Sequence, residues 1–232
     1  MRRKAYGYTS TTNMHPENLS AMGIGAFKYM EGRKDAADLF HSAMNSATEK
    51  IPALVKKMMK KKMWDGATVA DLGGGTGSLA IQFALQTPGV NATILDLIHG
   101  KESAIREIKK YNLSSRVSFK TSDFFKPLPR KYDLIVLRHI LHDWSDELAL
   151  KILKNAKKSL TPNGAIVVIE RVLERKPNLA VLLMDIEMMA MMEGGHERSI
   201  SSFANLFKKL DLKVVRNNWS EINRDIFLLT TK

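Results

Sequence analysis

His142 is the side chain in this sequence best placed to accept a proton. It stands just beyond the apolar run Tyr132–Ile140 ("YDLIVLRHI"), which reads as a strand buried on both faces. A neutral imidazole, with an ordinary pKa near ~6.5, can take the proton of a phenol, with a pKa near ~10, at neutral pH. Such a base works best when a carboxylate fixes the ring and steadies the imidazolium. Glu170 closes the next apolar run, "AIVVIERVL" (165–173), whose strand should lie beside the first, so it is expected to face His142. The alternatives are structural: His142 capping a helix or packing on Trp144, and Glu170 paired with Arg171 or Arg198. Asp143 is expected to point away, toward the N-terminus of the following helix.

A second group of residues is suited to holding a ligand. "VADLGGGTGSLA" (69–80) places Gly73, Gly74, Gly75 and Gly77 directly behind an apolar run. Glycines at such a strand-to-helix turn let backbone approach a ligand and take positive φ. A phosphate-binding P-loop would need Gly-Lys-Ser/Thr, and the chain has Gly77-Ser78-Leu79. A dinucleotide fingerprint, G-x-G-x-x-G/A, starts with Gly73 and Gly75 but has Ser78 in its third place. Asp71 stands just before the glycines, where a carboxylate repels a pyrophosphate and attracts a cation. Asp96 and Asp123 follow the next two apolar runs, and a carboxylate at the first can bond ribose hydroxyls. The set suits S-adenosylmethionine, whose sulfonium and amino groups are cationic. Taken singly, each aspartate reads equally well as a loop or cap residue.

These residues need a scaffold that gathers them on one edge. Strand-like stretches at 67–72, 91–97, 116–123, 132–140 and 165–173 alternate with helical ones at 78–86, 100–112 and 145–164. Further helices are expected over 179–193 and 199–210, and two closing strands with a short link between them. That pattern predicts a Rossmann-like α/β fold: a seven-stranded, mostly parallel sheet with an antiparallel C-terminal edge hairpin and helices on both faces. Ligands in such sheets sit beyond the carboxyl ends of the strands. Residues 1–63 are expected to form a helical segment packed on the domain at 64–232.

Composition sets the outer limits. The chain has 232 residues, 44% hydrophobic and 26% charged, enough for one sizeable core. It has no cysteine, which removes disulfides, thiolate metal sites and cysteine nucleophiles and fits a reducing, cytoplasmic setting. No metal site and no membrane span are expected. Residues 1–63 carry a net charge of +7 out of +12. "KKMMKKKMW" (56–64) can be read as a phosphate-docking face, but a solvated helix face with Met and Trp turned inward is favoured, and nucleic acid is not the expected partner.

"DLGGGTG", "ILDL", "SDFF", "YDLIVLRHILHDWSDE", "IVVIERVL" and "MDIEMMAMMEGGHERS" together resemble the caffeate and hydroxyindole O-methyltransferase family of class I S-adenosylmethionine-dependent enzymes, from about Phe40 onward. The resemblance implies methyl transfer from S-adenosylmethionine to a hydroxyl oxygen of a small aromatic acceptor, with His142 as general base and Glu170 and Glu197 supporting it. It implies that Gly73 and Gly75 line the methionine end of the cofactor. Asp96 would hold the ribose, with Leu97, Asp123 and Phe124 around the adenine. Arg138 stands where that family usually has a lysine near the cofactor, and Thr48 matches a serine that reaches it. In the methionine-rich stretch, Met188 matches a substrate-clamping residue, and Met44 is a second candidate. Methionine's pliable thioether suits gripping a flat ring, and core filling accounts for most of the others.

The resembled family is homodimeric and usually carries an N-terminal dimerisation domain of roughly a hundred residues, a common domain size. Only about forty residues precede Phe40 here, so the chain is expected to lack that domain. Two other functions compete: an RNA methyltransferase docking through the basic N-terminal segment, and a non-catalytic S-adenosylmethionine-binding protein.

Overall fold

The computed structural model describes residues 48–59, 61–174, 177, 179–192, 194–219 and 224–230. In chain order the elements are α1 (Ile51–Met58), β1 (Thr68–Leu72), α2 (Ser78–Gln86), β2 (Asn91–Asp96), α3 (Lys101–Lys110), β3 (Val117–Thr121) and β4 (Tyr132–Arg138). These are followed by α4 (Asp146–Lys158), β5 (Leu160–Glu170), α5 (Leu179–Met191), α6 (Ile200–Lys208), β6 (Lys213–Trp219) and β7 (Arg224–Thr230). A short 3₁₀ turn, Leu141–Asp143, links β4 to α4.

The seven strands form one sheet in the order β3-β2-β1-β4-β5-β7-β6. Every pair from β3 to β5 is parallel, and β7 runs antiparallel to both β5 and β6. Alternate side chains build two cores. Val69, Leu134, Val136, Val167 and Ile169 meet α1, α2 and α3 on one face. Ala70, Ile135, Leu137, Ile166 and Val168 meet α4 and α6 on the other. A sheet covered on both faces explains why β4 and β5 read as unbroken apolar runs.

The expected architecture is present, with several element ends shifted and the largest shift between α4 and β5. The helix anticipated over 145–164 ends at Lys158, and β5 starts at Leu160. The Ser159 N–H turns back to the carbonyls of Asn155 and Ala156. Thr161 Oγ1 then donates to Asp133 Oδ1 at 2.8 Å, drawing the chain into the sheet. Residues between Leu160 and Ala165 bulge, because Tyr132 pairs with Leu160 while Leu134 already pairs with Ala165. At its start, α4 is capped as its sequence suggests: Ser145 Oγ accepts from Leu148 N–H at 3.4 Å.

Of the N-terminal segment, α1 lies within the described residues, and Ile51, Leu54 and Val55 are buried in the first core. Trp64 stacks on Phe83 with ring centroids 6.0 Å apart, and Met58, Met59 and Met63 pack against the same core. The apolar members of "KKMMKKKMW" therefore look inward, as the solvated-face reading expects. None of the described helices is long and apolar enough to cross a membrane.

The glycine turn after β1 depends on missing side chains. Gly77 has φ +80°, and a Cβ there would sit 2.1 Å from Ile94 Cδ1. Gly66 has a similar φ of +69° but nothing within 4 Å. Alanine at Gly66 is expected to cost only the left-handed penalty, about 1–2 kcal/mol. Alanine at Gly77 adds overpacking and should cost about 2–4 kcal/mol in total. Urea denaturation of the two variants checks this, and equal losses would show that the contact with Ile94 carries no weight.

Candidate active site

The turn after β1 is held from two sides. Gly73 N–H donates to Leu95 O at 2.8 Å, and Gly75 N–H donates to Asp96 Oδ2 at 2.6 Å. Asp96 Oδ1 accepts from its neighbour Leu97 N–H. The Asp96 carboxylate is partly exposed, beside the exposed Leu97 and Ile98. A carboxylate followed by an apolar ledge fits a ribose with a flat base beyond it. Phe124 borders the same region, because a Cβ on Gly73 would lie 3.7 Å from its ring. Asp123 accepts from Phe125 N–H and pairs with Lys126 at 3.4 Å.

Asp71 occupies a different place from that expected of a ligand-facing charge. It is buried, its Oδ2 accepts from Ala80 N–H at 3.1 Å, and it packs under Gly74. Burial pushes its pKa up to about 6, against that bond and against Arg138. It braces the loop onto α2 from below. Arg138 ends β4 and donates to Thr48 Oγ1 at 2.8 Å, which ties the start of the described chain to this edge.

The glycine turn and the imidazole are in contact through one residue. A Cβ on Gly73 would fall 2.4 Å from Ile140 Cδ1, and Ile140 opens the turn that carries His142. Glu170, with no exposure at all, accepts from Ile140 N–H at 3.1 Å and Leu141 N–H at 2.8 Å through Oε1. It therefore pins the turn first. Its Oε2 lies 4.0 Å from His142 Nδ1, and it is Glu197 Oε1 that bonds this nitrogen, at 3.0 Å. His142, Glu170 and Glu197 are thus brought together, with Glu197 as the direct partner.

Asp143 corrects an expectation. Instead of pointing away, it is buried with Oδ1 3.4 Å from His142 Nε2. Burial opposes charge on His142, but Asp143, Glu170 and Glu197 outweigh it and push the imidazole pKa up to about 10. Burial in turn pushes Asp143 up to about 7.

Four further residues hold this constellation, and sequence reasoning did not assign them these roles. Arg198, 1% exposed, donates to the carbonyls of Leu141 and Trp144 and to Asp146 Oδ1. It clamps the His142 turn from the far side and is not spent on Glu170. Asp185 of α5 accepts from Glu197 N–H at 2.8 Å. Gly195 lies so close that a Cβ would stand 2.9 Å from His142 O, while His196 N–H donates to that same carbonyl. The string "GGHERS" carries the signal: a glycine, an acid and an arginine in four positions, all turned onto one turn.

On α5, Met188 and Met191 are buried, as is Met192 just beyond it, whereas Met189 is exposed. Met44 lies outside the described residues. Leu179, Leu182, Leu183, Ile186 and Met189 form an exposed apolar stripe on the same helix.

A parallel sheet in this order with an antiparallel seventh strand, and a glycine turn after its first strand, defines the class I methyltransferase fold. The comparisons narrow that class. Residues 11–211 match the O-methyltransferase domain family, and the chain belongs to it. It is 31% identical over 185 residues to the mitomycin biosynthesis 6-O-methyltransferase of Streptomyces lavendulae, covering 78% of this chain and 51% of that protein. An aclacinomycin 10-hydroxylase of Streptomyces purpurascens is 39% identical over 103 residues, 44% of this chain and 28% of that one. Among solved structures, an O-methyltransferase from neocarzinostatin biosynthesis superposes with a TM-score of 0.79 at 26% identity, covering 93% of this chain and 64% of that one. That protein was crystallised with S-adenosyl-L-homocysteine and 1,4-dihydroxy-2-naphthoic acid. The chain spans about half the length of the curated relatives it matches at full domain scale.

Proposed function

We propose that this chain transfers a methyl group from S-adenosylmethionine to a hydroxyl oxygen of a small aromatic acceptor, with His142 as the general base. The observation that carries this reading is a buried imidazole, bonded to Glu197 and beside Glu170, on a turn that touches the glycine loop through Ile140 and Gly73. S-adenosylmethionine, when bound, supplies a methyl group made electrophilic by a sulfonium.

Gly73, Gly75, Asp96, Leu97, Asp123, Phe124 and Arg138 would hold it, Asp96 through the ribose and the apolar side chains through the adenine. Met188 would meet the acceptor. His142 takes the proton of the acceptor hydroxyl as the oxygen forms its bond to carbon, and Glu197 and Glu170 stabilise the resulting imidazolium. The acceptor hydroxyl replaces Asp143 against Nε2. The described part of the N-terminal segment, α1, packs on the domain through the buried Ile51, Leu54 and Val55; residues 1–47 lie outside the described residues. The exposed stripe of α5 favours a homodimer, and the absence of cysteine favours a reducing compartment.

Transfer of labelled methyl from S-adenosylmethionine to a panel of phenols and hydroxynaphthoic acids, followed against pH, tests the reading. With His142 raised to about 10, the free enzyme holds an imidazolium at neutral pH. The value of kcat/KM should therefore rise with pH from 7 toward 10, since it reports groups of the free enzyme. A profile flat over that range would remove His142 as the titrating base. Tight binding of S-adenosylhomocysteine with no transfer to any acceptor would favour the non-catalytic alternative.

A further inference from the structure

His139 is an unusual residue for its place. It follows β4 directly, with φ +53°, a left-handed conformation uncommon outside glycine. Its side chain is 7% exposed. Nε2 lies 2.7 Å from Arg224 Nε at the start of β7. An arginine can only donate, so Nε2 must be the bare nitrogen and Nδ1 must carry the proton. That N–H faces Glu170 Oε2 at 3.8 Å. Glu170 Oε2 is fully buried and accepts no hydrogen bond among the described residues. A buried carboxylate oxygen without a donor is costly, and a short ring movement would supply one.

We propose that His139, its tautomer fixed by Arg224, is a positioning residue that presents an N–H to Glu170 and keeps that carboxylate ionised beneath the His142 turn. Arg224 thus acts on the catalytic imidazole through two intermediaries. The charged and titratable groups acting on His139 are His142, Arg224, Arg138 and Arg171, with Glu170 beside its Nδ1; those acting on His142 are Asp143, Glu170 and Glu197. Among them, burial first and then His142 and Arg224 hold the His139 pKa well below its usual value, so it stays neutral and keeps a single donor. A metal ion among His139, His142 and Glu170 is the competing use of these atoms. Arg224 against the His139 ring opposes it by charge.

This rests on His142 being the base, and the test separates the two ideas. Two variants of the full chain divide backbone from donor. Asparagine tolerates positive φ and places an amide N–H where Nδ1 stands; glycine tolerates positive φ and has no donor. The ring of His142 is titrated by NMR in each, which needs neither acceptor nor turnover, and kcat and KM follow with an active acceptor. In His139→Gly, the His142 titration is expected to move to lower pH, and kcat to fall about tenfold with KM for S-adenosylmethionine unchanged, the scale of one proton-transfer partner weakened. His139→Asn should restore both to within about twofold, a difference too small for a lost charge-assisted bond. If glycine leaves the titration where it is in the native chain, or if asparagine fails as glycine does, the proposal is overturned. A shifted titration in a chain that methylates nothing would sustain the positioning role while defeating the proposed reaction.

Discussion

Alanine at position 142 is expected to lower turnover by about 10²–10⁴-fold, the usual contribution of a positioned general base. Affinity for S-adenosylhomocysteine should stay within about threefold, a change of under ~1 kcal/mol. The separation follows from the geometry. Among the described residues, the hydrogen bonds of the glycine turn and of Asp96 run to Leu95, Gly75 and Leu97 and not to His142, and Ile140 packs between the two regions. Calorimetry and single-turnover transfer on the same preparation give the two numbers. His142→Ala also leaves Glu197 buried without its imidazole, so His142→Gln, which retains a polar partner, is the companion variant. Full turnover in both would defeat the assignment.

Methionine at position 198 should have the largest effect on folding. It removes a buried cation whose three donors reach two backbone carbonyls and Asp146. Leaving buried carbonyls unpaired costs about 1–3 kcal/mol each, so a total loss of about 3–5 kcal/mol is expected. Arg198→Lys should recover little, because one ammonium cannot serve three acceptors set in a fork. The His142 turn would loosen in whatever fraction remains folded, lowering kcat. Urea midpoints read the first effect. A loss under ~1 kcal/mol, the size of an exposed ion pair, would show that the clamp is superficial.

The sheet was legible in the sequence because strands buried on both faces leave continuous apolar runs, and those runs end where the ligand-facing residues begin. The approach of Glu170 to His142 was legible for the same reason, since adjacent parallel strands bring their ends together, whereas Glu197, the direct partner, was reached only through the family resemblance. The partners were harder to apportion. Glu170 accepts from two backbone N–H groups and only approaches the ring, and no residue pattern announces which backbone a carboxylate will meet. Asp143 was misread because its neighbour in sequence was the N-terminus of α4, whereas the 3₁₀ turn folds its side chain beside the ring. His139 and Arg224 stand 85 positions apart, and nothing local to either marks the contact.

That last separation bears on how the molecule is made. β7 is the last of the described strands in chain order, yet it is inserted between β5 and β6. During translation β1 to β5 can pair as they emerge, but the Arg224 contact has to wait for a segment synthesised after everything it braces. Distant pairings of this kind form late and slowly. A nascent or prematurely terminated polypeptide would therefore already hold the cradle while its proton-handling centre was still unfinished, a natural order of maturation in which the donor pocket precedes competence.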